Sequence, residues 1–166
     1  MKVVYLLIGP KGAGKSYIGR LMKKELGIAF LSVEEFFIRN LSNPKEFNEK
    51  ENIKVWQEIE DAIDKKLKKV DKISLESVGL FDSFQNFFKR IDAKYKVNLI
   101  KIETPLELCY QRIAGRDIEK HVKFSRENTQ KINELSIQGK YKFNLVIPNS
   151  KISNTEIIKR IKKITV

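Results

Sequence analysis

One cysteine, one histidine, one tryptophan, four prolines and eight glycines occur among 166 residues. The lone Cys109 cannot form an internal disulfide, which excludes a disulfide scaffold and fits a reducing, cytoplasmic setting. It lies in the run Leu106-Glu107-Leu108-Cys109-Tyr110, which predicts a buried structural thiol rather than a nucleophile. The single histidine, His121, has no partner at metal-ligand spacing and reads as a surface residue. No Pro/Gly/Ser-rich linker, repeat or low-complexity tract appears, so residues 1–166 are expected to form one domain. No apolar run approaches the roughly 20 residues needed to cross a bilayer, so no membrane partner is expected. Met1-Lys2 leads straight into a strand pattern with no signal-peptide features.

Charge is plentiful and unbalanced. The net charge is +12, with 42% hydrophobic and 33% charged residues, a composition expected of a soluble globular chain. Such a charge attracts polyanions, including nucleotides, RNA and phosphorylated metabolites. The lysines are spread through Lys65-Lys66, Lys68-Lys69 and Lys162-Lys163 on helical faces. That spread favours solvated helix surfaces over a nucleic-acid patch.

Helical and strand patterns alternate along the chain. Strands are predicted at 2–8, 28–31, 72–75, 97–102 and 143–147. Helices are predicted at 15–26 with Gly27 as a stop, 33–40 capped by Ser32, and from Pro44 to about Val70. In the last of these, Ile53, Trp56, Ile59, Ile63 and Leu67 share one apolar face. Further helices are expected at 81–94, after Thr104-Pro105 with Thr104 as cap, at about 126–138, and after the capping-box order Ser153-Asn154-Thr155-Glu156. Five short apolar strands separated by helices predict an α/β fold, a five-stranded parallel sheet with helices on both faces. Ligands then bind at the carboxyl ends of the strands.

Residues 9–16 read Gly9-Pro10-Lys11-Gly12-Ala13-Gly14-Lys15-Ser16, between the first strand and the first helix. This is the G-x-x-x-x-G-K-[ST] phosphate-binding loop in strand–loop–helix context. Its glycines let successive N–H groups point into one concavity, and the following helix adds the positive end of its dipole. Lys15 can reach the β- and γ-phosphates, and the Ser16 hydroxyl can ligate Mg²⁺. ATP with Mg²⁺ is therefore expected on Gly9, Lys11, Gly12, Ala13, Gly14, Lys15, Ser16 and Tyr17.

Other chemistry should come from loops at the same sheet edge. Glu76, ending the third strand, is placed to organise magnesium or to act as the base; Glu34, after the second strand, is expected on the acceptor side. Arg112 and Arg116 are four residues apart and would share a helical face, suited to contacting phosphates. The segment from Arg112 to about Arg126, including Asp117 and His121, reads as a small lid that excludes water.

With these features the chain resembles the small P-loop kinases of the adenylate and shikimate kinase type, from Lys2 to Val166. The resemblance rests on Gly9-x-x-Gly12-x-Gly14-Lys15-Ser16, the lid arginines and the last strand–Asn loop–helix. It implies a three-layer P-loop NTPase fold and transfer of the γ-phosphate of MgATP to a small-molecule acceptor bound around 33–70. It also implies that Arg116 and Asn149 flank adenine. Ser32-x-Glu34 and Glu76-Ser77-Val78-Gly79 stand where shikimate kinases have Asp-x-Asp and a triple glycine. Arg39 is the only arginine between 21 and 89. Glu76-Ser77 is closer to nucleoside and nucleotide kinases. The expected function is transfer to a nucleotide, nucleoside or small hydroxyl metabolite. A shikimate kinase-like enzyme, an NTPase and a nucleotide- or RNA-binding module are the alternatives. No guanine-reading Asn-Lys-x-Asp occurs.

Overall fold

The first strand, β1 (Val3–Ile8), is buried along its whole length. Its side chains alternate between two cores, Val3, Tyr5 and Leu7 in one and Val4, Leu6 and Ile8 in the other. A strand apolar on both sides can rest only in the middle of a sheet covered on both faces. The computed structural model describes residues 1–42, 48–116 and 124–165. The remaining elements are α1 (Lys15–Leu26), β2 (Ala29–Leu31), α2 (Val33–Asn40), α3 (Glu49–Leu67), β3 (Lys72–Ser77) and α4 (Asp82–Lys94). They continue with β4 (Lys96–Glu103), α5 (Leu106–Ala114), α6 (Arg126–Ile137), β5 (Leu145–Pro148) and α7 (Asn154–Lys162). The strands form one sheet in the order β2-β3-β1-β4-β5. Every pairing is parallel. The α/β fold expected from the sequence is the one observed.

Ile18, Met22, Cys109, Ile157 and Ile161 bring α1, α5 and α7 onto one face. Trp56, Ile59, Ile63, Phe84, Phe87 and Ile91 bring α3 and α4 onto the other. Each such side chain contributes on the order of 1.5–3 kcal/mol by leaving water. Gly27 ends α1 in the left-handed region, with its N–H on the Met22 carbonyl, as its sequence position predicts. Ser153 caps α7 by accepting from the Glu156 N–H at 3.2 Å. Cys109 is fully buried.

Several local expectations are corrected. The long helix starts at Glu49, capped by the Asn48 side chain; the expected opening at Pro44 lies outside the described residues. Ile53 is exposed, while Val55 and Glu60 are buried on that helix. Glu60 is held by Arg90 and Lys94, each at 2.7 Å, so a charged residue joins the α3–α4 seam through its partners. Ser32 occupies the cap position of α2 without a side-chain cap bond. Thr104 does not cap α5; its hydroxyl donates to the Ala13 carbonyl at 3.0 Å and to the Asn149 carbonyl at 3.3 Å. The last strand begins at Leu145 rather than 143. Of the expected lid, residues 117–123, with Asp117 and His121, lie outside the described residues.

Candidate functional site

The order of the strands creates a switch point. After β1 the chain builds β2 and β3 on one side of it and then β4 and β5 on the other, so a crevice opens beyond the carboxyl end of β1. The loop of residues 9–16 fills it. Gly12 has φ 86° and Gly14 has φ 93°, conformations that side chains rarely adopt. A Cβ on Gly12 would stand 2.4 Å from the Cys109 carbonyl oxygen, and one on Gly14 would stand 2.3 Å from Asn149 Nδ2.

The loop is tied to three later parts of the chain. The Ala13 carbonyl accepts from Asn149 Nδ2 at 2.8 Å, from Thr104 at 3.0 Å and from the Arg112 guanidinium at 3.3 Å. Asn133, fully buried in α6, brackets Lys11: its Oδ1 accepts from the Lys11 N–H at 2.7 Å and its Nδ2 donates to the Lys11 carbonyl at 3.1 Å. The Ala13 N–H turns inward to the Pro10 carbonyl at 3.2 Å. The N–H groups of Gly12, Gly14, Lys15 and Ser16 have no hydrogen-bond partner among the described residues. Lys15 Nζ donates back to the Gly9 and Pro10 carbonyls at 2.8 and 2.7 Å.

A cleft of about 390 Å³ opens over this loop. Lys11, Gly12, Gly14, Lys15, Ser16, Glu34, Glu76 and Arg116 all border it, so most of the residues singled out in the sequence meet in one place. Glu76 lies within β3 at its carboxyl end and is 5% exposed, and neither carboxylate oxygen has a hydrogen-bond partner. Burial pushes its pKa up to about 7, against the opposing pull of the Lys15 charge. Burial likewise lowers Lys15 to about 8, with Glu76 pulling it upward. Lys11 is lowered to about 8 by burial, against the nearby Glu34 carboxylate. Lys11 Nζ also lies 4.3 Å from the Phe124 ring centroid. A buried carboxylate with two unpartnered oxygens, bordering the same cleft as the Ser16 hydroxyl, is a donor set that fits a hard divalent cation.

The arginine pair does not share a helical face. Helix α5 ends at Ala114, and Arg116 falls beyond it. Arg116 borders the cleft, and its charge lowers the pKa of both lysines. Arg112 turns to the Ala13 and Asn149 carbonyls, the latter at 3.0 Å. The Tyr17 side chain also points away, its hydroxyl donating to Asn154 Oδ1 at 2.8 Å at the start of α7. Asn149 holds the loop through the Ala13 carbonyl and lies beside Gly14. The loop after β3 contains two left-handed residues, Gly79 at φ 74° and Phe81 at φ 73°. Phe81 is a strained position bordering the cleft.

Sequence reasoning missed Asn133, Asn52 and Ser83. Asn133 had one signal: an asparagine in a helix interior, where its side chain competes with the backbone unless it is used elsewhere. Asn52 and Ser83 had none, since their place in the cleft depends on how α3 and α4 pack.

An AAA domain family model matches residues 6–133. Adenylate kinases from two strains of Clostridium kluyveri are 30% identical over 146 residues, covering 75% of this chain. The chain spans only 65% of the length of these curated relatives. Among solved structures, an unliganded sugar kinase from Janibacter sp. HTCC2649 superposes with a TM-score of 0.72 at 12% identity, covering 98% of this chain and 94% of that one. A deoxyadenosine kinase from M. mycoides with bound dATP superposes with a TM-score of 0.64 at 19% identity, covering 96% of this chain and 97% of that one. The fold is thus that of the small P-loop kinases, and with most of its length matched and its phosphate loop intact the chain belongs to the AAA domain family.

Proposed function

We propose that the protein is a phosphotransferase that moves the γ-phosphate of MgATP to a small acceptor. The observation that carries this reading is Glu76, a buried carboxylate with no hydrogen-bond partner, beside Lys15 and Ser16 at the foot of a cleft roomy enough for a second reactant. An NTPase needs only a water there, whereas this cleft extends along α2, α3 and the start of α4. The similarity to adenylate, sugar and deoxyadenosine kinases supports the same class of reaction.

The free N–H groups of Gly12, Gly14, Lys15 and Ser16 cradle phosphate oxygens, and α1 adds its positive end. Lys15 leaves the Gly9 and Pro10 carbonyls for the β- and γ-phosphates, where its charge counts most as negative charge builds on the leaving oxygen. Arg116, which borders the same cleft just beyond α5, supplies further positive charge to the phosphates. Ser16 and Glu76 would hold magnesium, which when bound neutralises phosphate charge. In the transfer, the acceptor oxygen bonds to the γ-phosphorus as the bond from that phosphorus to the β–γ bridging oxygen breaks. The electron pair leaves with ADP, and the acceptor proton passes to the carboxylate of Glu76 or Glu34.

ADP formation should depend on an added acceptor, and Glu76→Gln should cut turnover while ATP affinity stays within a few-fold. ADP release indifferent to every acceptor would establish an NTPase instead.

A further inference from the structure

The two walls of the cleft differ in chemistry. Among the described residues, every cation bordering it comes from the loop, the end of α5 or α6: Lys11, Lys15, Arg116 and Lys131. The opposite wall, built by α2, α3 and the start of α4, presents Val33, Phe37, Leu41, Trp56 and Leu80. Its one charge is negative, Glu34. Arg39, the arginine of α2, lies 4.8 Å from the Phe36 ring centroid and does not border the cleft. Arg90 of α4 is held by Glu60. A phosphate or carboxylate on the acceptor would need guanidinium or ammonium donors on this wall, and would meet Glu34 instead. A polyol would need a dense set of hydrogen-bond groups, which the apolar wall lacks.

The wall does suit a flat ring. Trp56 is 5% exposed and is backed by Phe87 at 4.6 Å and Phe84 at 5.2 Å between centroids. Phe37 meets Trp56 edge-on at 5.6 Å. These contacts hold the aromatic surface in place before any ligand arrives. Two uncharged polar side chains stand in it, Asn52 and Ser83. Ser83 is 4% exposed and its hydroxyl has no hydrogen-bond partner. An amide and a hydroxyl each donate and accept, which matches the mixed edge of a nitrogen heterocycle.

We propose that the acceptor, within the phosphotransfer reading above, is an uncharged hydroxyl compound bearing a flat nitrogen heterocycle. It belongs to the nucleoside class and sits in the Phe37–Trp56 pocket, its polar edge on Asn52 and Ser83. Its hydroxyl faces Glu34 and the phosphate loop.

Trp56 is the only tryptophan, so its emission reports on this pocket without any turnover. The whole chain is titrated with unphosphorylated ribo- and deoxyribonucleosides, their 5′-monophosphates, gluconate and shikimate. ADP formation is measured in parallel with MgATP. At least one nucleoside should quench Trp56 saturably and give a kcat/KM at least about tenfold above its monophosphate. Phe37→Leu and Ser83→Ala should each raise the nucleoside KM about tenfold with kcat little changed. Arg39→Ala should alter neither constant. ADP formation with a monophosphate, gluconate or shikimate but with no nucleoside would overturn this proposal and leave phosphotransfer standing. Saturable nucleoside quenching with no ADP formed from any acceptor would uphold the ring pocket and remove phosphotransfer. Absence of quenching by every nucleoside would overturn the pocket.

Discussion

The two sides of the cleft are held by different forces. On the phosphate side, backbone groups are fixed by side-chain hydrogen bonds from far along the chain. Three donors converge on the Ala13 carbonyl, and Asn133 brackets Lys11 across 122 residues. On the acceptor side, rings pack on rings while Ser83 is left without a hydrogen-bond partner. Phosphate is the same ligand in every such protein, so its site can be built from backbone N–H groups that any sequence supplies once the turn is right. An acceptor is recognised by its own shape, and that requires side chains whose positions come only from packing.

The largest effect should come from breaking the phosphate side alone. Lys15→Ala should lower turnover by on the order of 10² or more, because the lost contact strengthens as charge develops in the transition state. Ligand-induced quenching of Trp56 should survive in this variant, since the substitution leaves the rings of Phe37, Trp56, Phe84 and Phe87 in place. Comparable kcat values in the folded variant and the parent would put the chemistry elsewhere.

A smaller effect should come from loosening the loop without removing a reacting group. Asn133→Ala leaves the Lys11 N–H and carbonyl unpaired in a partly buried setting, a loss of about 1–3 kcal/mol. Thermal unfolding should register it as a fall in Tm of about 2–4 °C for each kcal/mol in a chain of this size. ATP affinity should weaken with it, while acceptor affinity holds. An unchanged Tm would mean that α6 does not restrain the loop.

The junction of the two sides, at Glu76, should respond to pH. Its pKa rises from 4.5 to about 7 in the folded protein. Below pH 4.5 both folded and unfolded chains hold the proton, and the contribution to stability is fully present. Between about pH 4.5 and 7 the unfolded chain releases the proton and the folded chain keeps it, so stability falls as pH rises through that window. Denaturation midpoints of the ligand-free protein at pH 5 and 7.5 should show this fall, and it should be shallower in Glu76→Gln. Equal slopes in both proteins would place the titrating group elsewhere.

Much of the fold was legible because its signals are local. An apolar run of 4 to 8 residues bounded by turn residues reads as a buried strand, and Gly27 or Ser153 marks a helix end through its own backbone chemistry. Errors arose where a partner distant in sequence took over. Thr104 has the right residue type and position for a cap, but the Ala13 carbonyl captures its hydroxyl. Arg112 and Arg116 have helical spacing, but α5 stops at Ala114 and the two guanidiniums part. Ile53 fits the apolar period of α3, yet the buried stripe there runs through Asn52, Val55 and Trp56 and leaves Ile53 exposed.

By itself the sequence determined the strand–loop–helix at residues 3–26, the five parallel strands and the assembly of charged groups at their carboxyl ends. These follow from periodicity, glycine geometry and the alternation of strands with helices, each carried by neighbours along the chain. Only the tertiary structure decided that Asn133 reaches back to Lys11, that Glu76 is buried without a hydrogen-bond partner, and that Phe37, Trp56, Asn52 and Ser83 share one wall. These relations join residues tens of positions apart. Side-chain packing between α2, α3 and α4, rather than any local rule, sets the distances among those four wall residues.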